Sequence, residues 1–135
     1  VPENASRVNA NPPSSSSAEG PSSPDGDGER ATLVYATFPS LAEAERIGGE
    51  LVGMRLAACV NILPGMRSIY RWQGAVQSDP EVAMIIKTRQ RLVPRVVGVV
   101  RVLHPYVNPA LVALPGCGGS AEFLAWISAE TADCG

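Results

Sequence analysis

Leu56-Ala57-Ala58-Cys59-Val60-Asn61-Ile62-Leu63-Pro64-Gly65-Met66-Arg67-Ser68-Ile69-Tyr70-Arg71-Trp72-Gln73-Gly74 decides the fold. Ala57 to Trp72 reads as one long β-strand. Pro64 cannot donate to a ladder and belongs at a bulge or an edge. Gln73-Gly74 supplies a hairpin turn. A third strand then runs from Ala75 to Lys87, with an interruption expected near Ser78-Asp79-Pro80. Two strands of this length overreach a small domain, and their unpaired backbone groups need cover. Self-association by strand pairing is the simplest cover.

Outward from the hairpin, Thr32–Thr37 is short, β-rich and bounded by Pro39, and reads as the first strand. Ser40-Leu41-Ala42-Glu43 is a capping box. Leu41, Ala44, Ile47, Leu51 and Val52 follow at helical spacing, which predicts a helix from Leu41 to Met54. Gly48 and Gly49 weaken it by about 1 kcal/mol each relative to Ala, an expense that close packing against the sheet would offset. Leu92–Leu103 is ambiguous. Its valines favour a strand, yet Val93, Val96, Val97, Val100 and Leu103 also fit a helix face, with Pro94 tolerable only in a first turn. Ala110–Leu114 predicts a fourth strand. Ser120 caps a last short helix, with Phe123, Leu124 and Ile127 expected to face inward.

Composition divides the chain in two. Ser, Pro and Gly fill fifteen of the first thirty residues, and only Val1 and Val8 there are large and apolar. Such a segment cannot offset its ordering entropy, so residues 1–30 read as a disordered tail and 31–135 as one folded domain. The tail holds two arginines against five acids, net −3. The remainder holds nine cations against eight acids, net +1. That near-neutral domain carries no footprint for nucleic acid and no basic run for a membrane surface. No apolar run approaches the roughly 18 residues of a membrane-spanning helix, and no secretory signal core is visible. Cys59, Cys117 and Cys134 are odd in number and widely spaced, so reduced thiols in a cytoplasmic or organellar compartment are expected. Cys59 reads as a small core residue. Nucleotide-binding glycine loops and a nucleophile elbow are missing from the sequence, and the chain is not expected to be an enzyme.

Three blocks carry a resemblance: the long strand with its hairpin, Glu81-Val82-Ala83-Met84-Ile85-Ile86-Lys87-Thr88, and His104-Pro105-Tyr106 followed by Leu111-Val112-Ala113-Leu114-Pro115. Together they make Ala31–Ala129 similar to the CutA family of divalent-cation tolerance proteins. The resemblance decides for a helix at Leu92–Leu103. The expected fold is then α+β, a ferredoxin-like βαββαβ arrangement with elongated second and third strands and a C-terminal helix. It implies a homotrimer in which the long strands join across subunits, with Tyr70 and Trp72 on one strand face at the interface.

His104 is the only histidine. At a helix C-terminus it can serve as a structural cap, and it can also be a ligand. The family resemblance points to metal contact through His104 and Glu81, with Cu(II) or another divalent cation as the ion. In the family, copper binding is associated with a cysteine after the first strand. Here that strand ends in Ala36-Thr37, so the cysteine is absent. The position of a second family histidine is Leu103, and the Pro-Glu that often follows in the family is Pro109-Ala110 here. Metal binding is therefore expected to be weak or indirect. A ligand cleft at Trp72, Lys87, His104 and Tyr106 would suit a PII-like small-molecule signalling trimer. A scaffold for an unidentified protein partner is a third reading.

Overall fold

The computed structural model describes residues 27–132. They form strand β1 (Ala31–Phe38), helix α1 (Leu41–Gly53), strands β2 (Cys59–Trp72) and β3 (Ala75–Arg89), and a 3₁₀ turn at Gln90–Leu92. Helix α2 (Val93–Leu103), strand β4 (Leu111–Pro115) and helix α3 (Ala121–Glu130) follow. The class is α+β: one antiparallel four-stranded sheet, ordered β2-β3-β1-β4, with three helices. Leu92–Leu103 is helical, with Pro94 in the first turn, where its missing N–H costs nothing.

Helices α1 and α2 cover one sheet face. Alternate residues of β1 (Val34, Ala36, Phe38) and β3 (Val82, Met84, Ile86) meet Ala44, Ile47 and Leu51 of α1 and Val96 and Val100 of α2 in a single core. Ser40 caps α1 by accepting from the Glu43 amide. At the other end Arg55 turns left-handed at φ 60°. The Leu56 amide then reaches the Leu51 carbonyl and the Arg55 amide the Val52 carbonyl, the paired bonds of a Schellman stop. The Arg55 guanidinium holds this strained residue by donating to the Ala129 carbonyl at 3.0 Å. The two helical glycines differ. A Cβ on Gly48 would lie 2.9 Å from Val60 Cγ2 and 3.1 Å from Met84 Cε, as close packing requires, whereas one on Gly49 would meet nothing within 4 Å.

The hairpin turns at Gln73-Gly74, φ 50° and 81°, as a two-residue turn with both residues left-handed. Between the pairs Leu63↔Ala83 and Met66↔Glu81 two β2 residues, Pro64 and Gly65, face only Val82. This is the bulge expected at Pro64. The expected interruption at Ser78-Asp79-Pro80 does not occur, since Arg67↔Pro80 and Ser68↔Asp79 continue the ladder. Strand β1 pairs with β3 only as far as Val82. Beyond it β3 has one neighbour, and a proline that lacks a donor is tolerated. Residues 66–81 thus form a two-stranded ribbon reaching about 20 Å past the sheet, at ~3.3 Å per residue.

Helix α3 lies against the other sheet face. Ile127 is buried there, but Phe123, expected to face inward, is 42 % exposed. It stacks on Trp126 and lies under the Lys87 ammonium, 5.2 Å from the ring centroid. Cys59 pairs with Lys87 on this same face and is half-buried, not core, because the face is only partly covered. Of the segment expected to lack structure, residues 1–26 lie outside the described residues, as does Cys134. Asp27–Arg30 are tied to the domain: the Gln90 amide donates to the Arg30 carbonyl and the Arg91 amide to that of Gly28.

Candidate functional site

The base of the ribbon, where β2 and β3 leave the sheet, collects a group of hydrogen-bonded polar side chains. Glu81, Asp79 and Gln77 alternate onto the face of β3 that α1 and α2 do not cover. Register places Met66, Ser68 and Tyr70 opposite them. Glu81 is buried, with Oε1 accepting from the Ser68 hydroxyl at 2.8 Å and Oε2 from the Tyr106 hydroxyl at 2.9 Å. Tyr70 donates a short hydrogen bond to Asp79. Partial burial and the Asp79 carboxylate push the Tyr70 phenol up to about 12. Burial and the Glu81 carboxylate push Tyr106 up as well. Both phenols therefore stay protonated and donating at neutral pH.

The segment after α2 brings Tyr106 here, and His104 fixes that segment. His104 is the C-cap of α2, its amide bonded to the Val100 carbonyl. Its Nδ1 accepts from the Tyr106 amide at 3.0 Å, and Nε2 lies 2.8 Å from the Thr37 carbonyl. An acceptor on one nitrogen and a carbonyl at the other define the neutral Nε2–H tautomer. The ring is buried and stacks on Phe38, centroids 4.8 Å apart. Neither nitrogen offers a lone pair to a cation in this arrangement. Glu81 has lone pairs left, but among the described residues no three or more His, Cys, Asp or Glu gather where they could hold a metal ion. A metal site made by one chain alone does not fit these residues.

Burial is the main reason the His104 pKa lies below its ordinary value, outweighing the Thr37 hydrogen bond. The unfolded chain therefore takes up the proton first. The stabilisation from neutral His104 is complete above the unfolded value of about 6.5 and is lost as pH falls through the folded one. Melting temperatures measured from pH 7.5 to 5 should fall for the native chain. They should fall less for His104→Gln, which starts lower. Parallel curves would assign the acid sensitivity to other groups.

The expected cleft residues separate. Tyr106 and Glu81 are together, and His104 adjoins them through the Tyr106 amide. Trp72 stands at the ribbon tip opposite Ala75, while Lys87 pairs with Cys59 at the far end of β3. Twelve residues of strand between Ala75 and Lys87 amount to about 40 Å. One chain cannot bring Trp72 and Lys87 into one cleft. Glu81 and Lys87 share a strand face, as their spacing requires, about 20 Å apart. Ser68, Asp79 and Thr37 are the partners that sequence reading missed. The turn held the signal for two of them, because equal steps back from Gln73-Gly74 set Ser68 opposite Asp79.

Comparison with known proteins adds the lineage. The family model described as "CutA1 divalent ion tolerance protein" matches residues 32–130. The chain belongs to the CutA1 family. A divalent-cation tolerance protein CutA of Thermus thermophilus is 46 % identical over 99 residues, covering 73 % of this chain and 96 % of the relative. A chloroplastic CutA protein of Arabidopsis thaliana is 43 % identical over 99 residues, covering 73 % and 54 %. The chain spans about half the length of its plant relatives. The crystal structure of CutA1 from Oryza sativa superposes with a TM-score of 0.76 at 39 % identity, covering 78 % of this chain and 96 % of that one. Among the described residues of this CutA1 chain, no helix is long and apolar enough to cross a membrane.

Proposed function

We propose that this CutA1 chain acts in the response to divalent cations, Cu(II) among them, as a homotrimer that meets the ion weakly at a site completed between subunits. The observation that carries this is the ribbon base. Asp79 and Glu81 lie on one sheet face and accept hydrogen bonds from hydroxyls. Lys87 lies on the same face, set against an aromatic ring. A second chain packed on that face can add further ligands to these carboxylates, and it would also unite Trp72, Lys87 and Tyr106. The ribbon edge supports self-association, because an unpaired strand of this length invites pairing and closed symmetry ends the assembly. The β2-β3-β1-β4 order supports the ferredoxin-like reading.

Light scattering should give the mass of three chains. Calorimetric titration of that assembly with Cu(II) and Zn(II) should show weak saturable heat. Glu81→Gln should weaken it at least tenfold without changing the mass. A single-chain mass, or heat indifferent to Glu81→Gln, defeats the reading. No heat at all from an intact trimer favours a metabolite or a protein partner.

A further inference from the structure

We propose that the Met66 thioether decides which ion the ribbon-base site takes, and that it selects Cu(I). This selection rests on the proposed ion site beside Asp79 and Glu81. Met66 supplies the one kind of donor that the carboxylates and hydroxyls there lack. The bulge in β2 is what puts the sulfur in place. Leu63 pairs with Ala83 on the face that α1 and α2 leave uncovered. In a regular ladder Gly65 would then stand opposite Glu81. Met66 would fall opposite Pro80 and point to the other face, since a slip of one residue reverses every side chain. The single extra residue at Pro64-Gly65 shifts the count by one. Met66 thereby becomes the partner of Glu81, on the same face, with Cβ atoms about 5 Å apart. Bulges beside functional sites re-aim side chains in this way.

The sulfur is held rather than loose. Tyr35, on the same face of β1, donates to Met66 Sδ at 3.7 Å. A thioether is a weak acceptor with two lone pairs, and this bond uses one. Met66 is half-buried, so its sulfur is fixed without being sealed from an ion. Among the described residues the other sulfurs stand elsewhere. Met84 is fully buried in the core, and Met54 caps the end of α1. Cys59 pairs with Lys87, about 20 Å along β3 from Glu81. Cys117 follows the end of β4.

The chemistry of the donors does the rest. Carboxylate oxygens serve hard divalent ions, whereas a thioether favours Cu(I). Zinc takes nitrogen, thiolate and carboxylate donors, so a neutral thioether adds little for it. Asp79 and Glu81 alone would not tell copper from zinc. With Met66 beside Glu81, Cu(I) gains a bond that Zn(II) does not. Affinity for ions in general then belongs to the carboxylates, and preference among ions belongs to the sulfur.

The test uses the full chain in its native assembly, with Cys59→Ala, Cys117→Ser and Cys134→Ser throughout so that no thiol competes for copper. Cu(I) is supplied without oxygen as its coloured bicinchoninate complex, with ascorbate present, and the colour falls as the protein takes the metal. Zn(II) is titrated separately by calorimetry. Met66→Leu keeps the side-chain volume and removes the sulfur. Loss of an outer-shell partner already costs roughly tenfold or more in metal affinity, and loss of this ligand should weaken Cu(I) uptake at least that much. The Zn(II) heat and the mass of the assembly should not change. X-ray absorption of the copper-loaded protein should show a sulfur neighbour that Met66→Leu lacks. Cu(I) uptake unchanged by Met66→Leu, an equal loss of both ions, or a parent protein that binds Zn(II) but not Cu(I) would each overturn the role of Met66 and leave the carboxylate site standing. Binding of neither ion would remove that site, and the selection with it.

Discussion

Replacing Phe38 with alanine should lower stability by about 3–5 kcal/mol, the range for truncating a fully buried aromatic, read as a shift in urea midpoint at fixed protein concentration. Phe38 is completely buried at the end of β1 and fills the core between sheet and helices. It is also the surface on which the His104 ring rests. Its loss opens a cavity beneath a side chain that must stay neutral and bonded on both nitrogens. Phe38→Leu keeps much of the volume without the stack, and should cost less than half as much. Equal losses in the two variants would mean that the ring contact, not the volume, dominates.

Neighbouring glycines in α1 should respond with opposite signs. Gly48→Val should destabilise by about 1–3 kcal/mol, the range for overpacking a filled core. A Cβ there already crowds Val60 Cγ2, and Val60 is β-branched and cannot swing away. Gly49→Ala should stabilise by about 1 kcal/mol, the propensity difference, because its Cβ points into open space. Denaturant midpoints of the two variants beside the native chain decide the matter. Destabilisation by both would show that Gly49 too has a neighbour, in the assembly if not in the chain.

These glycines show how far the sequence could be read. Helical spacing put both in one helix and gave close packing as their reason. Only the phase of the helix against the sheet reveals that Gly48 alone touches it. The hairpin was legible because Pro64 and Gln73-Gly74 are local signals. The ladder through Pro80 was not, since it depends on where β1 stops, which is tertiary information. Helix α2 needed the family likeness, because valine at 3.6-residue spacing satisfies two periods at once. At the site, His104, Glu81 and Tyr106 were singled out from sequence. Their arrangement was not foreseeable: the histidine spends both nitrogens on backbone groups, the Thr37 carbonyl and the Tyr106 amide. Phe123 was misplaced because a short terminal helix leaves one side of itself in water.

One side chain near the chain ends carries a different consequence. Arg89, the last residue of β3, is buried. It donates to Glu29 on the approach to β1 and to the carbonyls of Thr131 and Ala132 beyond α3. The two ends of the described chain therefore meet at a single guanidinium, and the domain is nearly a ring with one gap. A ring has no privileged starting point. Joining the ends across Arg89 and opening the loop at Gln73-Gly74 would retain every strand pairing within the chain, so the order in which this sequence is synthesised is separable from the shape it takes.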